Sequence, residues 1–165
     1  MDRLYAPWRT DYIRTDAQKI KACVFCHAAD TLNDDEKLGI LHREDDFFIV
    51  MNKYPYSPGH IMIIPNIHIA NLEDLDEKVF AKISLYTQKA VKMLKKVLNA
   101  QGVNIGMNLG KAAGAGIAEH LHLHLVPRWE GDTNFITTIG ETRVYSSDIT
   151  EIYRELKNAT SNYFR

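Results

Sequence analysis

The segment Glu119-His120-Leu121-His122-Leu123-His124-Leu125-Val126 places an imidazole at alternate positions from His120 to His124, with leucines between and after them. Side chains of extended backbone alternate faces with a period of two, so the three histidines share one face and Leu121, Leu123 and Leu125 the other. A strand with its leucine side buried is predicted over residues 120–126, ended by Pro127. A lone histidine is usually a satisfied structural residue, but three in strict alternation ask for chemistry. Two kinds are open: a three-histidine metal site, or a nucleophile flanked by hydrogen-bond donors.

Working outward, residues 38–65 hold short apolar runs, Leu38 to Leu41, Phe47 to Met51 and His60 to Ile64, separated by acidic residues and by Tyr54-Pro55-Tyr56-Ser57-Pro58-Gly59. They read as antiparallel strands joined by turns. Between residues 72 and 98, Leu75, Val79, Ile83, Tyr86, Ala90, Met93, Leu94 and Val97 recur at three- and four-residue steps, which predicts one long amphipathic helix. A strand is expected over residues 103–109, and a last helix from Ser147 or Asp148 through Ile149, Ile152, Tyr153 and Leu156. Hairpin-paired strands with a long helix inserted describe an α+β fold.

The 165 residues, 45% apolar and 25% charged, suffice for one domain burying roughly 70% of its unfolded surface, so a single domain over residues 1–165 is expected. Twenty Lys and Arg against 21 Asp and Glu leave a net charge of -1, which gives no footprint for nucleic acid or an anionic membrane. No apolar run approaches the ~20 residues of a spanning helix, and with Asp2, Arg3 and Arg9 in place of a basic-then-apolar pattern no signal peptide is expected. Cys23-Val24-Phe25-Cys26 holds both cysteines at a spacing typical of zinc or redox sites in a reducing compartment, so the cytoplasm is expected.

Before the histidines lies Gly110-Lys111-Ala112-Ala113-Gly114-Ala115-Gly116. It lacks the lysine-serine ending of a P-loop and leads into a strand. Small residues still allow successive backbone N–H groups to converge on an anionic oxygen, so the stretch reads either as a phosphate nest or as a plain connection.

The run His120-Leu-His122-Leu-His124-Leu-Val126 with Pro127-Arg128 resembles the signature of the histidine triad superfamily of nucleotide hydrolases and transferases. Asn52-Lys53-Tyr54-Pro55-Tyr56-Ser57-Pro58-Gly59-His60 is similar to that family's segment joining a ribose-binding residue to an upstream active-site histidine. Asn108 to Gly110, residues 114–117, and Pro127-Arg128-Trp129 with Gly131-Asp132-Thr133-Asn134-Phe135 most resemble bacterial enzymes cleaving diadenosine polyphosphates, in the fragile-histidine-triad-like branch.

The resemblance implies an antiparallel five-stranded sheet with one long helix and a C-terminal helix, an N-terminal arm over residues 1–36 and a C-terminal extension over 130–165. It also implies roles. His122 would attack the α-phosphorus and carry the nucleotide, with His124 and His60 as donors beside the phosphate. Gly114, Ala115 and Gly116 would bind phosphate oxygens through their backbone, and Asn52 would contact the ribose. Asn108 falls, with one gap, near a glutamine that touches the phosphate or leaving group in relatives. Asparagine at position 52, where nucleoside phosphoramidases usually carry aspartate, argues against the alternative of a phosphoramidate or adenylyl-conjugate hydrolase. The other alternative is a nucleotide-binding protein without turnover, which would not need a nucleophile. Either water or inorganic phosphate could accept the nucleotide, and hydrolysis is slightly preferred as needing no second anion site. A divalent cation would accompany the polyphosphate.

In zinc-bearing members, a Cys-x-x-Cys joins a histidine after a Pro-x-x-His turn and the first triad histidine. Here those positions are Cys23, Cys26, His68 (in Pro65-Asn66-Ile67-His68) and His120, a donor set suited to a closed structural zinc site. His27 and His42 match no position and are expected on the surface. The family also implies a homodimer that covers sheet edges, through the long helix and a neighbouring strand.

Overall fold

The computed structural model describes residues 23–140 and 147–165. Part of the expected N-terminal arm, residues 1–22, and residues 141–146 of the C-terminal extension lie outside the described residues. In chain order the elements are α1 (Val24–Asp30), α2 (Asp35–Leu38), β1 (Ile40–Arg43), β2 (Phe47–Met51), β3 (Ile61–Pro65), α3 (Glu77–Val97), β4 (Gly102–Gly106), β5 (Leu123–Arg128), α4 (Phe135–Thr138) and α5 (Ile149–Tyr163). The strands form one antiparallel sheet in the order β1-β2-β3-β5-β4. None of the described helices is long and apolar enough to cross a membrane.

Alternation sorts the sheet into two faces. Phe47, Ile49, Ile61, Ile63, Leu121, Leu123 and Leu125 pack against Ile83, Ala90, Met93 and Leu94 of α3 and Ile152 and Leu156 of α5. Phe48, Val50, Met62 and Ile64 point the other way, onto Phe25 and Ala28 of α1. His124 lies opposite Met62 in the β3–β5 ladder, so it shares this second face.

Element boundaries differ from the sequence expectation for local reasons. The long helix starts at Glu77 because the Asp76 carboxylate accepts from the N–H groups of Lys78 and Val79, while Leu72–Asp74 forms a separate 3₁₀ turn. β4 ends at Gly106, short of residues 107–109. β5 begins at Leu123, because the Leu121 N–H bonds the Ile69 carbonyl instead of a neighbouring strand. It then runs through Pro127. The Arg128 carbonyl faces β4, where it accepts from Gln101, so the imino nitrogen of Pro127 faces the β3 side, beyond the end of that ladder.

Past Pro127, the Arg128 guanidinium donates to both Asp132 carboxylate oxygens at 2.6 Å and to Asn104 Oδ1 at 2.9 Å, tying the strand exit to β4. Gly59 delivers the chain into His60 at φ 72°, and a β-carbon there would clash with Leu98 Cδ1.

His27 is exposed, as expected, but His42 is not a plain surface histidine. Its ring stacks with Tyr86 and packs on Phe164, and its Nε2 lies 2.7 Å from Glu44 Oε1. Glu44 also accepts from the Tyr86 hydroxyl and pairs with Lys82. Although burial alone would raise it, these partners hold its carboxyl down at about 2.

Candidate active site

His60, His120, His122 and His124 are all buried, and they meet on the α1 side of the sheet. The β3–β5 ladder brings His60, just before β3, beside His124, which is 64 residues away in sequence. The neighbours of each ring decide which nitrogen carries the proton.

His122 Nδ1 lies 2.8 Å from the carbonyl oxygen of His120. A carbonyl can only accept, so Nδ1–H donates and the neutral ring keeps its lone pair on Nε2. At His60, Nδ1 receives the backbone N–H of Tyr56 at 3.1 Å, which makes Nδ1 the acceptor and puts the proton on Nε2. That Nε2–H reaches His124 Nδ1 at 2.9 Å. His124 then carries its proton on Nε2, a buried nitrogen with no hydrogen-bond partner among the described residues. An orphaned buried donor is costly unless a ligand accepts from it.

Burial, followed by repulsion from His124 and His122, pushes His60 down to about 3. Burial and His122 push His124 down to about 4. Both rings are therefore neutral at pH 7 and donate hydrogen bonds without carrying charge.

Asn52 follows β2, and its side chain turns toward His60: Nδ2 lies 3.2 Å from His60 Nδ1, and Oδ1 accepts from the Tyr54 N–H at 2.9 Å. The glycine stretch departs from expectation in part. Lys111–Ala113 forms a 3₁₀ turn in which the Gly114 N–H goes to Lys111 and the Ala115 N–H to Gly110, so the nest expected of residues 114–116 reduces to Gly116. The Gly116 N–H makes no hydrogen bond among the described residues. Asn108 is half-buried and makes no hydrogen bond to the histidines.

Two residues not singled out from the sequence join the site. The Tyr56 ring lies 4.7 Å from His60 and 5.7 Å from His124, and Phe25 of α1 touches the rings of His120 and His122. Tyr56 sits inside the turn that delivers His60, and Phe25 inside the Cys-x-x-Cys, but neither position carries a chemical signal that a turn or helix reading would flag.

Cys23, Cys26, His68 and His120 come together with all ligand atoms within 4.8 Å of one another. The sulfur-to-Nδ1 distances are 3.3 Å for Cys23 to His120, 3.6 Å for Cys26 to His120 and 3.2 Å for Cys26 to His68. A tetrahedron with normal Zn–S and Zn–N bonds has S···N edges of about 3.5 Å, so the four donors fit a zinc ion. His120 Nε2 donates to the Pro65 carbonyl at 2.9 Å, which leaves Nδ1 unprotonated toward the cysteines. Burial and the neighbouring Cys23 raise the Cys26 thiol in the absence of a cation.

A family model described as the HIT domain matches residues 35–131. AP-4-A phosphorylase of Mycobacterium tuberculosis is 40% identical over 150 residues, covering 87% of this chain and 76% of that protein. Bis(5'-adenosyl)-triphosphatase of Dictyostelium discoideum is 29% identical over 126 residues, covering 68% and 84%. Among solved structures, a Zn-bound histidine triad family protein from Mycobacterium smegmatis superposes with a TM-score of 0.69 at 28% identity, covering 86% of this chain and 95% of that one. With the domain model spanning more than half of the chain, over the segments that build the histidine cluster, this protein belongs to the HIT domain family.

Proposed function

We propose that this protein cleaves diadenosine polyphosphates, such as diadenosine tetraphosphate, at the α-phosphate through a covalent nucleotidyl-His122. The observation that carries this reading is the relay from His60 to His124, which ends in an unpartnered buried Nε2–H on the face where His122 keeps its Nε2 lone pair.

In the first step His122 Nε2 bonds to the α-phosphorus as the P–O bond to the β-phosphate breaks. With diadenosine tetraphosphate, the electron pair leaves with ATP. The ring gains positive charge, which its Nδ1–H shares with the His120 carbonyl. His124 donates to the phosphate or bridging oxygen, and Gly116 offers a backbone donor. The remaining hydrogen-bonding capacity of Asn52 would serve the ribose, and Asn108 would contact the leaving group.

In the second step an acceptor oxygen displaces His122, which recovers its lone pair. The relative named AP-4-A phosphorylase supports inorganic phosphate as that acceptor, giving ADP, over the hydrolysis preferred on sequence grounds. A divalent cation travels with the polyphosphate and offsets its charge, which this near-neutral chain does not match.

Zinc held by Cys23, Cys26, His68 and His120 would be structural, since four protein ligands fill a tetrahedral shell and fasten α1 to the approach of β5. A cytoplasmic, reducing location would keep both cysteines available to it. The homodimer fits the edges of the sheet. The β1 carbonyls of Ile40 and Leu41 are covered by Lys157, and that of Ile40 also by the Tyr153 hydroxyl, whereas β4 pairs only with β5 among the described residues and exposes 51% of Ile105.

The test is incubation with diadenosine tetraphosphate and magnesium, with and without phosphate. ADP plus ATP formed only with phosphate supports phosphorolysis, and AMP plus ATP in both cases supports hydrolysis. Intact substrate in both overturns the proposal.

A further inference from the structure

The side chain of Asn52 is turned inward, toward the far end of the relay. Its Oδ1 accepts from the Tyr54 N–H, which fixes the amide orientation and aims Nδ2 at His60 Nδ1. Two donors therefore converge on one ring nitrogen, the Asn52 amide at 3.2 Å and the Tyr56 N–H at 3.1 Å. Every hydrogen bond beyond follows in one direction: His60 Nε2–H to His124 Nδ1, then His124 Nε2–H to whatever lies in the site.

We propose that Asn52 is a specificity-determining position: as a donor beside the Tyr56 amide it preserves the direction of this relay, which a carboxylate there would reverse, so that a neutral His124 presents a donor matched to leaving groups that depart as anions. This rests on the reading of His124 as a donor to the reacting phosphate. A departing nucleoside polyphosphate needs a hydrogen bond at the oxygen that gains charge but no transferred proton, and a neutral donor chain supplies that. An amine leaving group would need the proton itself.

An aspartate at position 52 would put an acceptor where the donor now stands. His60 Nδ1 would then hold a proton, and two states follow. At low pH His60 is an imidazolium paired with the carboxylate, and its Nε2–H still serves His124. At high pH the neutral ring carries its proton on Nδ1, so Nε2 accepts from His124 Nδ1–H and His124 turns a lone pair toward the anion. Loss of a donor aimed at developing charge costs on the order of 10²-fold in kcat. The groups facing His60 are His124 and His122 from the β5 segment and Tyr56 from its own turn, and no acidic side chain among the described residues interacts with it. A new pH dependence in the variant would therefore come from the introduced carboxylate.

The experiment is nitrogen-15 NMR of histidine-labelled full-length protein, wild type and the Asn52→Asp and Asn52→Leu variants, with kcat and KM for diadenosine tetraphosphate from pH 5.5 to 8.5. The wild-type spectra should show His60 and His124 as Nε2–H tautomers throughout. Asn52→Asp should protonate His60 Nδ1 and lower kcat about 10²-fold at pH 8, with recovery toward pH 6. Asn52→Leu, which leaves the Tyr56 amide in place, should keep both tautomers and change KM more than kcat. A wild-type His60 carrying its proton on Nδ1 overturns the proposal without any variant. So does an Asn52→Asp protein with wild-type tautomers whose KM rises as in Asn52→Leu at unchanged kcat, the behaviour of a ribose contact alone. The tautomers are read without substrate, so absent turnover would count against the proposed activity and leave the relay to be judged by the spectra.

Discussion

The carbonyl oxygen of His120 accepts from His122 Nδ1 at 2.8 Å, while the ring of the same His120 stands 3.3 Å from the Cys23 sulfur. One residue thus belongs to the thiol–imidazole cluster through its side chain and holds the His122 ring, the proposed nucleophile, through its backbone.

Stripping metal by chelation, or Cys26→Ser, should consequently lower both thermal stability and turnover. Loss of groups that orient a site's ligands typically costs 10- to 100-fold, and a fall of that order in kcat is expected. Metal analysis should give about one zinc per chain before treatment. Protein purified without chelators that contains no zinc would contradict the assignment.

His122→Ala should abolish turnover while nucleotide binding and folding persist, because the neighbouring Leu121 and Leu123 anchor the segment in the core on the opposite face. Residual kcat above about one hundredth of wild type would remove the covalent route. Mass spectrometry of the wild-type protein under substrate should show the nucleotidyl adduct, and the variant should not.

Stability should fall on mild acidification. His60 and His124 are held near 3 and 4, below the ordinary 6.5, so the unfolded chain takes up protons that the folded chain refuses as pH drops below about 6.5. Their contribution is fully present above that value and is lost as pH falls toward the folded values. From pH 7.5 to 5 the two rings together account for about 4 kcal/mol. His124→Asn should remove about half of that slope in urea denaturation series, and an unchanged slope would mean that these rings titrate normally.

Gly59→Ala should destabilise the fold by roughly 1–3 kcal/mol, since the position combines a left-handed φ of 72° with a β-carbon that would clash with Leu98 Cδ1. The urea midpoint measures it. A midpoint shift below about a quarter of the expected size would show that the turn relaxes away from Leu98.

A sedimentation mass of two chains at micromolar concentration is expected, with Ile105→Lys shifting it to one. Charge on an exposed edge strand is the ordinary way such pairing is suppressed. A wild-type mass of one chain would refute the dimer.

The alternation from His120 to Leu125 is a local property of extended backbone, so residue order was enough to set three imidazoles facing away from three buried leucines, even though the ladder begins only at Leu123. The α3 stripe was legible for the same reason, because its period lies within a few turns of chain. Tertiary structure decided the tautomers of His120 and His124, whose partners lie far away in the chain, whereas those of His122 and His60 rest on the His120 carbonyl and the Tyr56 N–H, two and four residues away. The Pro65 carbonyl at His120 is 55 residues away in sequence, and His124 meets His60 across 64. It also withdrew the Gly114 and Ala115 amides from the expected nest and drew His42 into the Tyr86–Phe164 stack. Side-chain spacing shows which face a residue takes, but a proton's place depends on the nearest donor or acceptor, which for His120 and His124 only chain folding brings within 3 Å.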